Sequence, residues 1–226
     1  MTQKPSDYHR IHIDVGANEG HAVLHYARYE PDSLIIAFEP VPSLAAMISH
    51  QSRHLTNLMV VQKAVSDYNG GDVLKVSPFS EFGHHSCSSL SNFSEKSQTD
   101  WPGRHDFQVV GTIPVSVITL KDFVMQNEIP KIDYLKIDAQ GHDLRVLKGL
   151  GELLPILKEG EMEAGSSSDI LYEGQNTKDE SIKFLEENGF EITEITTNDD
   201  FSNEVNIFFK NKNPKNLLTG KVFYMG

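Results

Sequence analysis

The ten residues Ile11–Gly20 constrain this chain more than any other stretch. Ile11, Ile13 and Val15 alternate with His12 and Asp14, the period of a short strand. Gly16-Ala17-Asn18-Glu19-Gly20 follows, and a helical pattern starts at about His21. A strand, a glycine-bounded turn and a helix leave free backbone N–H groups at a helix N-terminus, which attracts carboxylates and phosphates. The turn lacks the middle glycine of G-x-G-x-x-G, so a dinucleotide and an NAD-linked oxidoreductase are disfavoured. A strand ending in D-x-G-x-x-x-G suits S-adenosylmethionine (SAM), whose amino-acid end replaces a pyrophosphate and whose amine Asp14 can accept. An ordinary tight turn would look the same, so the motif needs company.

That company comes from the chain order. Residues 21–29 read as a short helix. Leu34-Ile35-Ile36-Ala37-Phe38 is a continuous apolar run of the kind buried on both faces of a parallel sheet. Residues 43–52 carry a second helix after Pro42, and 57–63 a third strand. This β-α-β-α-β order is the unit of a doubly wound sheet. Tyr68–Asp72 is a turn signal, and Val73–Val76 a short added strand. An extended run at 115–118, a helix opened by Thr119 and Asp122, and a fourth principal strand at 132–138 follow. Then come a helix at 144–150, a strand at 159–164, a helix at 177–188 and strands at 190–196 and 205–210. The expected fold is α/β, Rossmann-like and doubly wound, with a mostly parallel sheet of about seven strands. Residues 1–210 form one domain on this reading, and 211–226 a tail that packs weakly or meets a partner.

Regularity fails from Ser77 to about residue 107. A loop that long inside a compact domain is functional or disordered. Its aromatics (Phe79, Phe82, Phe93, Trp101, Phe107) argue against plain disorder and for a lid or acceptor-binding segment. A surface excursion without a role is the alternative.

Charge and cysteine usage narrow the partners. The net charge of −12, with Lys and Arg scattered singly, repels nucleic acid and anionic membranes. Cys87 is the only cysteine, which rules out an internal disulfide or a multi-cysteine zinc site. His84-His85 with Cys87 is a weak metal cluster. No apolar run approaches a membrane span, and Met1–Asp7 lacks a signal-peptide core, so a cytoplasmic location is expected. The first strand begins about ten residues in, as in a minimal domain or one cut from a larger multidomain polypeptide.

Ligands of open parallel sheets bind beyond the carboxyl ends of the strands. That rule collects Asp14, Glu39, Asp67, Asp138 and Glu163 on one edge. Glu39, one βαβ unit after Asp14, can accept from both ribose hydroxyls. Ser66 and Asp67 can read an adenine amine, although turn chemistry explains them equally. Lys136 and Asp138 share a strand face, and a buried lysine must find a partner. His142, four residues on, is a neutral base near pH 7. Asp138 and His142 are the candidate bases, with Lys136 orienting. Asp138, His142 and Glu163 together form a minority divalent-cation reading.

Ile13–Gly20, Phe38-Glu39-Pro40, Ala64–Asp67, Ser88-Ser89-Leu90 and Leu135-Lys136-Ile137-Asp138-Ala139-Gln140-Gly141-His142-Asp143 occur in the order and approximate spacing of FkbM-family methyltransferases, which the chain resembles over roughly residues 11–210. Val146–Gly149 and Phe184–Phe190 extend the match. The resemblance implies a class I SAM-dependent methyltransferase fold acting on an oxygen acceptor in sugars or natural products. It also implies SAM contacts at Asp14, Gly16, Asn18 and Glu39, and Gly20, which closes the turn, is counted with the cofactor-binding residues. The family commonly has glutamate where this chain has Gln140 and Asp143. The expected cofactor is SAM, with S-adenosylhomocysteine as product; a divalent metal is allowed but not expected. The expected partner is a carbohydrate or other hydroxylated acceptor, with no nucleic acid and no membrane. A non-catalytic SAM-binding or scaffold domain is the alternative.

Overall fold

The computed structural model describes residues 3–78, 86–97, 101, 103–166, 170–197 and 204–217. Strand β1 (Arg10–Val15) buries Ile11, Ile13 and Val15. After it come α1 (His21–Tyr29), β2 (Ser33–Phe38), α2 (Pro42–Gln51) and β3 (Leu58–Val61). Every residue of β2 is buried, as its unbroken apolar run requires. The second half supplies β7 (Ile132–Ile137), α4 (Asp143–Lys148), β8 (Leu157–Gly165), α5 (Lys178–Glu187), β9 (Phe190–Thr197) and β10 (Glu204–Asn211). The main sheet runs β3-β2-β1-β7-β8-β10-β9, parallel except for β10, which is antiparallel to both neighbours.

Both sheet faces are covered. On one, Val23 and Ala27 of α1 and Ile48 of α2 pack on Ile35 and Ala37. On the other, Phe123, Leu144, Leu147 and Leu185 pack on Ile13, Ile36, Phe38 and Leu135. Strand order reverses between β1 and β7, whose ends lie side by side: Asp138 N–H donates to Val15 O at 2.9 Å.

A second sheet departs from the expectation. β4 (Ala64–Val65), β5 (Gly70–Val76) and β6 (Gly111–Ile118) form it in the order β4-β6-β5, and α3 (Leu120–Gln126) leads back to β7. Gly70, Gly71 and Asp72, expected in a turn, pair with Val117, Ser116 and Val115. Cross-strand pairing overrides their weak strand propensity. Pro114 is tolerated because β4 reaches only Val117 and Ile118, leaving β6 an edge strand at the proline. Asp67 therefore follows a strand of this small sheet, not of the main one.

The residues after β10 are tied down as far as they are described. Lys215 N–H donates to Pro155 O and Leu217 N–H to Pro130 O, both at 2.7 Å, and Leu217 packs on the main core. Among the described residues, no helix is long and apolar enough to cross a membrane.

Candidate active site

A cavity of about 460 Å³ opens beyond the carboxyl ends of β1, β2 and β7, at the reversal of strand order. It is of the size that small ligands fill. The turns after β1 and β2 contribute Gly16, Asn18, Glu39 and Val41, α2 contributes Leu44 and β4 Val65. Ser86–Leu90, Arg104 and Phe107 come from the irregular segment; Asp138, Gln140, His142, Glu163 and Glu204 come from β7, β8, β10 and their turns.

The turn after β1 is built around two glycines. Gly16 has φ +88°, and a Cβ there would lie 1.9 Å from Asp138 O, so only glycine lets the ends of β1 and β7 meet. Gly20, at φ +78°, caps α1 and packs on Ile48. Glu39 fastens the turn: Oε2 accepts Asn18 N–H and Oε1 accepts Val41 N–H, each at 2.8 Å. Burial pushes the Glu39 carboxyl up to about 7, against the pull of those two N–H donors. Asp14 is 2% exposed, and burial raises it to about 6. Lys136 Nζ stands 3.9 Å from Asp14 Oδ1, beyond hydrogen-bond reach. Asp14 Oδ1 and Asn18 Oδ1 are buried acceptors with no hydrogen-bond partner among the described residues.

The turn after β7 is more crowded. Asp143 accepts Ala139 N–H and Gly141 N–H, both at 3.1 Å, and burial with nearby Asp138 raises its carboxyl to about 7. Gln140, at φ +50°, is the hub. Its Nε2 donates to Asp138 Oδ1 at 2.6 Å and reaches Glu163 Oε2 at 3.5 Å; its Oε1 accepts from Tyr172 Oη at 2.5 Å. Its carbonyl accepts from Ser89 Oγ at 2.5 Å. Lys136 Nζ donates to Asp138 Oδ2 at 3.4 Å. Burial works against the Lys136 charge, but Asp138, Asp14, Glu163 and Glu161 outweigh it and hold the ammonium above its ordinary range. Burial, Asp138, Glu204 and Asp143 push Glu163 well above the carboxylate range.

The structure thus brings Asp138, Lys136 and Glu163 together, with the Gln140 amide between the two carboxylates. His142 lines the same cavity but turns Nδ1 to Ser66 Oγ at 3.2 Å. Burial, then Arg145, lowers His142 to about 4. Among the described residues no group of three or more His, Cys, Asp or Glu is disposed to hold a metal ion. Cys87 is buried, with its thiol pushed up to about 12 by burial and by Asp106. His84 and His85, like Phe79 and Phe82, lie outside the described residues.

Ser66 is fully buried and Asp67 exposed; neither lines the cavity, whose wall there is Lys63, Ala64 and Val65. Trp101 also stands back: it packs edge-on against Phe107, 6.0 Å between centroids, and Phe107 faces the cavity. Arg104 lies 3.9 Å over the Phe107 ring and makes a bidentate contact with Asp106 at 2.9 Å.

Sequence reasoning missed Tyr172 and Glu204. Tyr172 is fully buried, stacked on Phe93 at 5.0 Å, and nothing in its local pattern marks it. Glu204 had a signal. It opens an antiparallel strand, so its amino end lies on the edge where the parallel strands have their carboxyl ends.

The family model for the methyltransferase FkbM domain matches residues 14–192, spanning the glycine turn, the Gln140 turn and β8. The chain belongs to the FkbM methyltransferase family. Two curated relatives of this FkbM methyltransferase are similar across most of it. The 2-O-methyltransferase NoeI of Sinorhizobium fredii is 26% identical over 175 residues, 77% of this chain and 69% of that protein. The hexuronic acid methyltransferase AglP of Haloferax volcanii is 25% identical over 191 residues, 83% of this chain and 67% of that protein. Among solved structures, the Methanococcus jannaschii fibrillarin pre-rRNA processing protein superposes with a TM-score of 0.51 at 15% identity, covering 93% of this chain and 70% of that one. It shares the class I methyltransferase fold.

The FkbM methyltransferase uses SAM, and its cavity fits that cofactor. Asn18 lines the cavity with an unfilled acceptor suited to a ligand that brings an amine and ribose hydroxyls, while Asp14, also with an unfilled oxygen, is buried at the end of β1 and does not itself line the cavity. Gly16 keeps the backbone open to close approach, and Glu39 is a carboxylate at the cavity wall.

Proposed function

We propose that this FkbM methyltransferase transfers a methyl group to a hydroxyl of a sugar, in a glycan or glycosylated product. SAM, when bound, supplies an electrophilic methyl on a positively charged sulfur. The observation that carries the reading is one cavity with two kinds of wall. One has an unfilled acceptor at Asn18, in the turn that follows the buried Asp14; the other is a fixed array of Asp138, Gln140, His142 and Glu163. Asp14, Gly16, Asn18 and Glu39 hold the cofactor, and Gly20 sets the turn. In-line transfer requires the acceptor oxygen to be held close and relieved of its proton. Asp138, kept in place by Lys136 and Gln140, orients the hydroxyl, and the neutral His142 accepts its proton. The sugar assignment is supported by the relatives' names, NoeI as a 2-O-methyltransferase and AglP as acting on hexuronic acid. A net charge of −12 speaks against nucleic acid and anionic membrane partners and fits a cytoplasmic enzyme.

We read residues 1–210 as one catalytic domain in which the described part of the 77–107 segment covers the acceptor end. Ser86–Leu90, Arg104 and Phe107 support this by lining the cavity.

Two measurements test the reading together. Calorimetry on Glu39→Ala should show SAM affinity weakened by about 1.5–3 kcal/mol, the range for a hydrogen bond to a charged group. Incubation with labelled SAM and mono- or disaccharide acceptors should give a methyl ether locatable by NMR. Unchanged affinity removes Glu39 from the site. Transfer to phenols or nucleic acid, with none to carbohydrate, overturns the acceptor assignment.

A further inference from the structure

We propose that His142, Ser66 and Asp67 form a proton exit path, leading from the cavity to solvent the proton released when a hydroxyl is methylated. This rests on the methyltransfer reading above. It gives Ser66 and Asp67 a role other than the adenine contact expected from their place in the chain.

The geometry is a chain of three groups that crosses the wall of the cavity. His142 lines the cavity. Its Nδ1 lies 3.2 Å from Ser66 Oγ, and Ser66 Oγ lies 3.3 Å from Asp67 Oδ1. Ser66 is completely buried, whereas Asp67 is exposed, so the far end of the chain reaches water. The Ser66 backbone is held in place. Its N–H donates to Ile118 O at 3.2 Å, and Gly149 packs so tightly on its carbonyl that a Cβ there would come within 2.4 Å.

The hydrogen-bond inventory fixes the direction. Asp67 as a carboxylate can only accept, so the single Ser66 hydroxyl proton points to it. Ser66 Oγ must then accept from His142 Nδ1–H. That tautomer leaves Nε2 as the ring nitrogen with a lone pair for the cavity.

The electrostatics call for such a path. Burial makes a His142 imidazolium costly. Arg145 and Lys75 add to the cost, and Asp67 and Asp72 offset it only in part. An imidazole that cannot store a proton can still pass one on. As the acceptor O–H bond breaks, Nε2 takes its proton. The Nδ1 proton moves to Ser66 Oγ, the Ser66 hydroxyl proton moves to Asp67 Oδ1, and Asp67 releases it to water. Each group ends with the charge it began with, His142 as the Nε2–H tautomer and the Ser66 hydroxyl turned toward Nδ1. Asp138 is less suited to this step, because Gln140 and Lys136 already donate to its two oxygens.

The test reads the tautomer and the turnover separately. Nitrogen-15 NMR of the whole protein at pH 7, with the His142 signals identified by their loss in His142→Asn, should show Nδ1 protonated and Nε2 not. Ser66→Ala should shift His142 to the Nε2–H form. It should also lower kcat by roughly 10- to 100-fold, part of what a general base contributes, with SAM Kd and acceptor KM unchanged. Asp67→Asn, on the surface, should lower kcat less, since water can stand in. An active enzyme whose His142 is the Nε2–H tautomer would overturn the relay alone. So would Ser66→Ala with full kcat, or with SAM affinity lost in step with activity. The Nδ1–H tautomer in a protein that methylates no hydroxyl would overturn both the relay and the function it serves.

Discussion

The turns after β1 and β7 lie side by side and are built on one plan. Each has a glycine at φ +88°, Gly16 in the first and Gly141 in the second. Each has a non-glycine residue in the left-handed region, Asn18 and Gln140. Each is fastened by a buried carboxylate that accepts two backbone N–H groups, Glu39 in one case and Asp143 in the other. They differ in what is left over. The first turn ends with buried acceptors on Asp14 and Asn18 that no described group fills. In the second, Gln140 is engaged through its amide, its side-chain oxygen and its carbonyl. A backbone that looks repeated thus serves two purposes. One turn is left incomplete so that a ligand can complete it; the other is completed by the protein so that its side chains stand still.

The two glycines give the sharpest test of this comparison. Gly16→Ala sets a Cβ 1.9 Å from the Asp138 carbonyl, backbone that cannot give way, and should cost about 4 kcal/mol of stability. Gly141→Ala meets Tyr172 Cβ at 2.7 Å, a milder overlap than the 1.9 Å at Gly16, and should cost about half as much. Urea unfolding of both variants checks this; equal losses would mean that the close approach of β1 and β7 is not the constraint.

A second pair separates the filled turn from the unfilled one. Gln140→Ala strands the groups bonded to Gln140 and should destabilise the free protein by about 1–3 kcal/mol. Asn18→Gly keeps the left-handed turn and removes an acceptor that nothing uses. The free protein should then change by less than about 0.5 kcal/mol, while SAM affinity drops. An Asn18→Gly loss as large as that of Gln140→Ala would erase the distinction.

A third test varies the solvent and concerns the matched carboxylates. Glu39 and Asp143 both titrate near 7 in the folded protein, above ordinary values of about 4. Below pH 4 both states hold these protons. Between pH 4 and 7 the unfolded chain releases protons that the folded chain keeps, so stability falls as pH rises, by up to about 1.4 kcal/mol per pH unit per group. It levels off above 7. Unfolding midpoints at pH 5 and 7.5 should show this loss, and Glu39→Gln and Asp143→Asn should each flatten it.

How much of this was legible in the sequence depended on distance along the chain. The two turns could be read because each is local: an alternating strand, glycines at the bend, an acid at the strand end. The main sheet followed from the alternation of apolar runs and helices. The second sheet could not be read, because Gly70–Asp72 is strand only through its partners at Val115–Val117. The role of Ser66 was hidden by its separation of 76 positions from His142. Trp101 shows the limit of composition: an aromatic in a loop can face a ligand or back another aromatic, and here it backs Phe107.

The pairing of β1 with β7 also sets a timetable. Ile11 N–H donates to Asp133 across 122 residues, and the β1–β7 register spans a similar gap. At a synthesis rate of about 5–20 residues per second, β1 waits roughly 6–24 s on the ribosome for the strand that will flank it. During that interval the edge of β1 and the apolar side chains destined for the core have no permanent cover, and long-range pairing of this kind is slow to form even in the finished chain. The seam that later frames the cavity is therefore open to the wrong neighbour while the chain is being made.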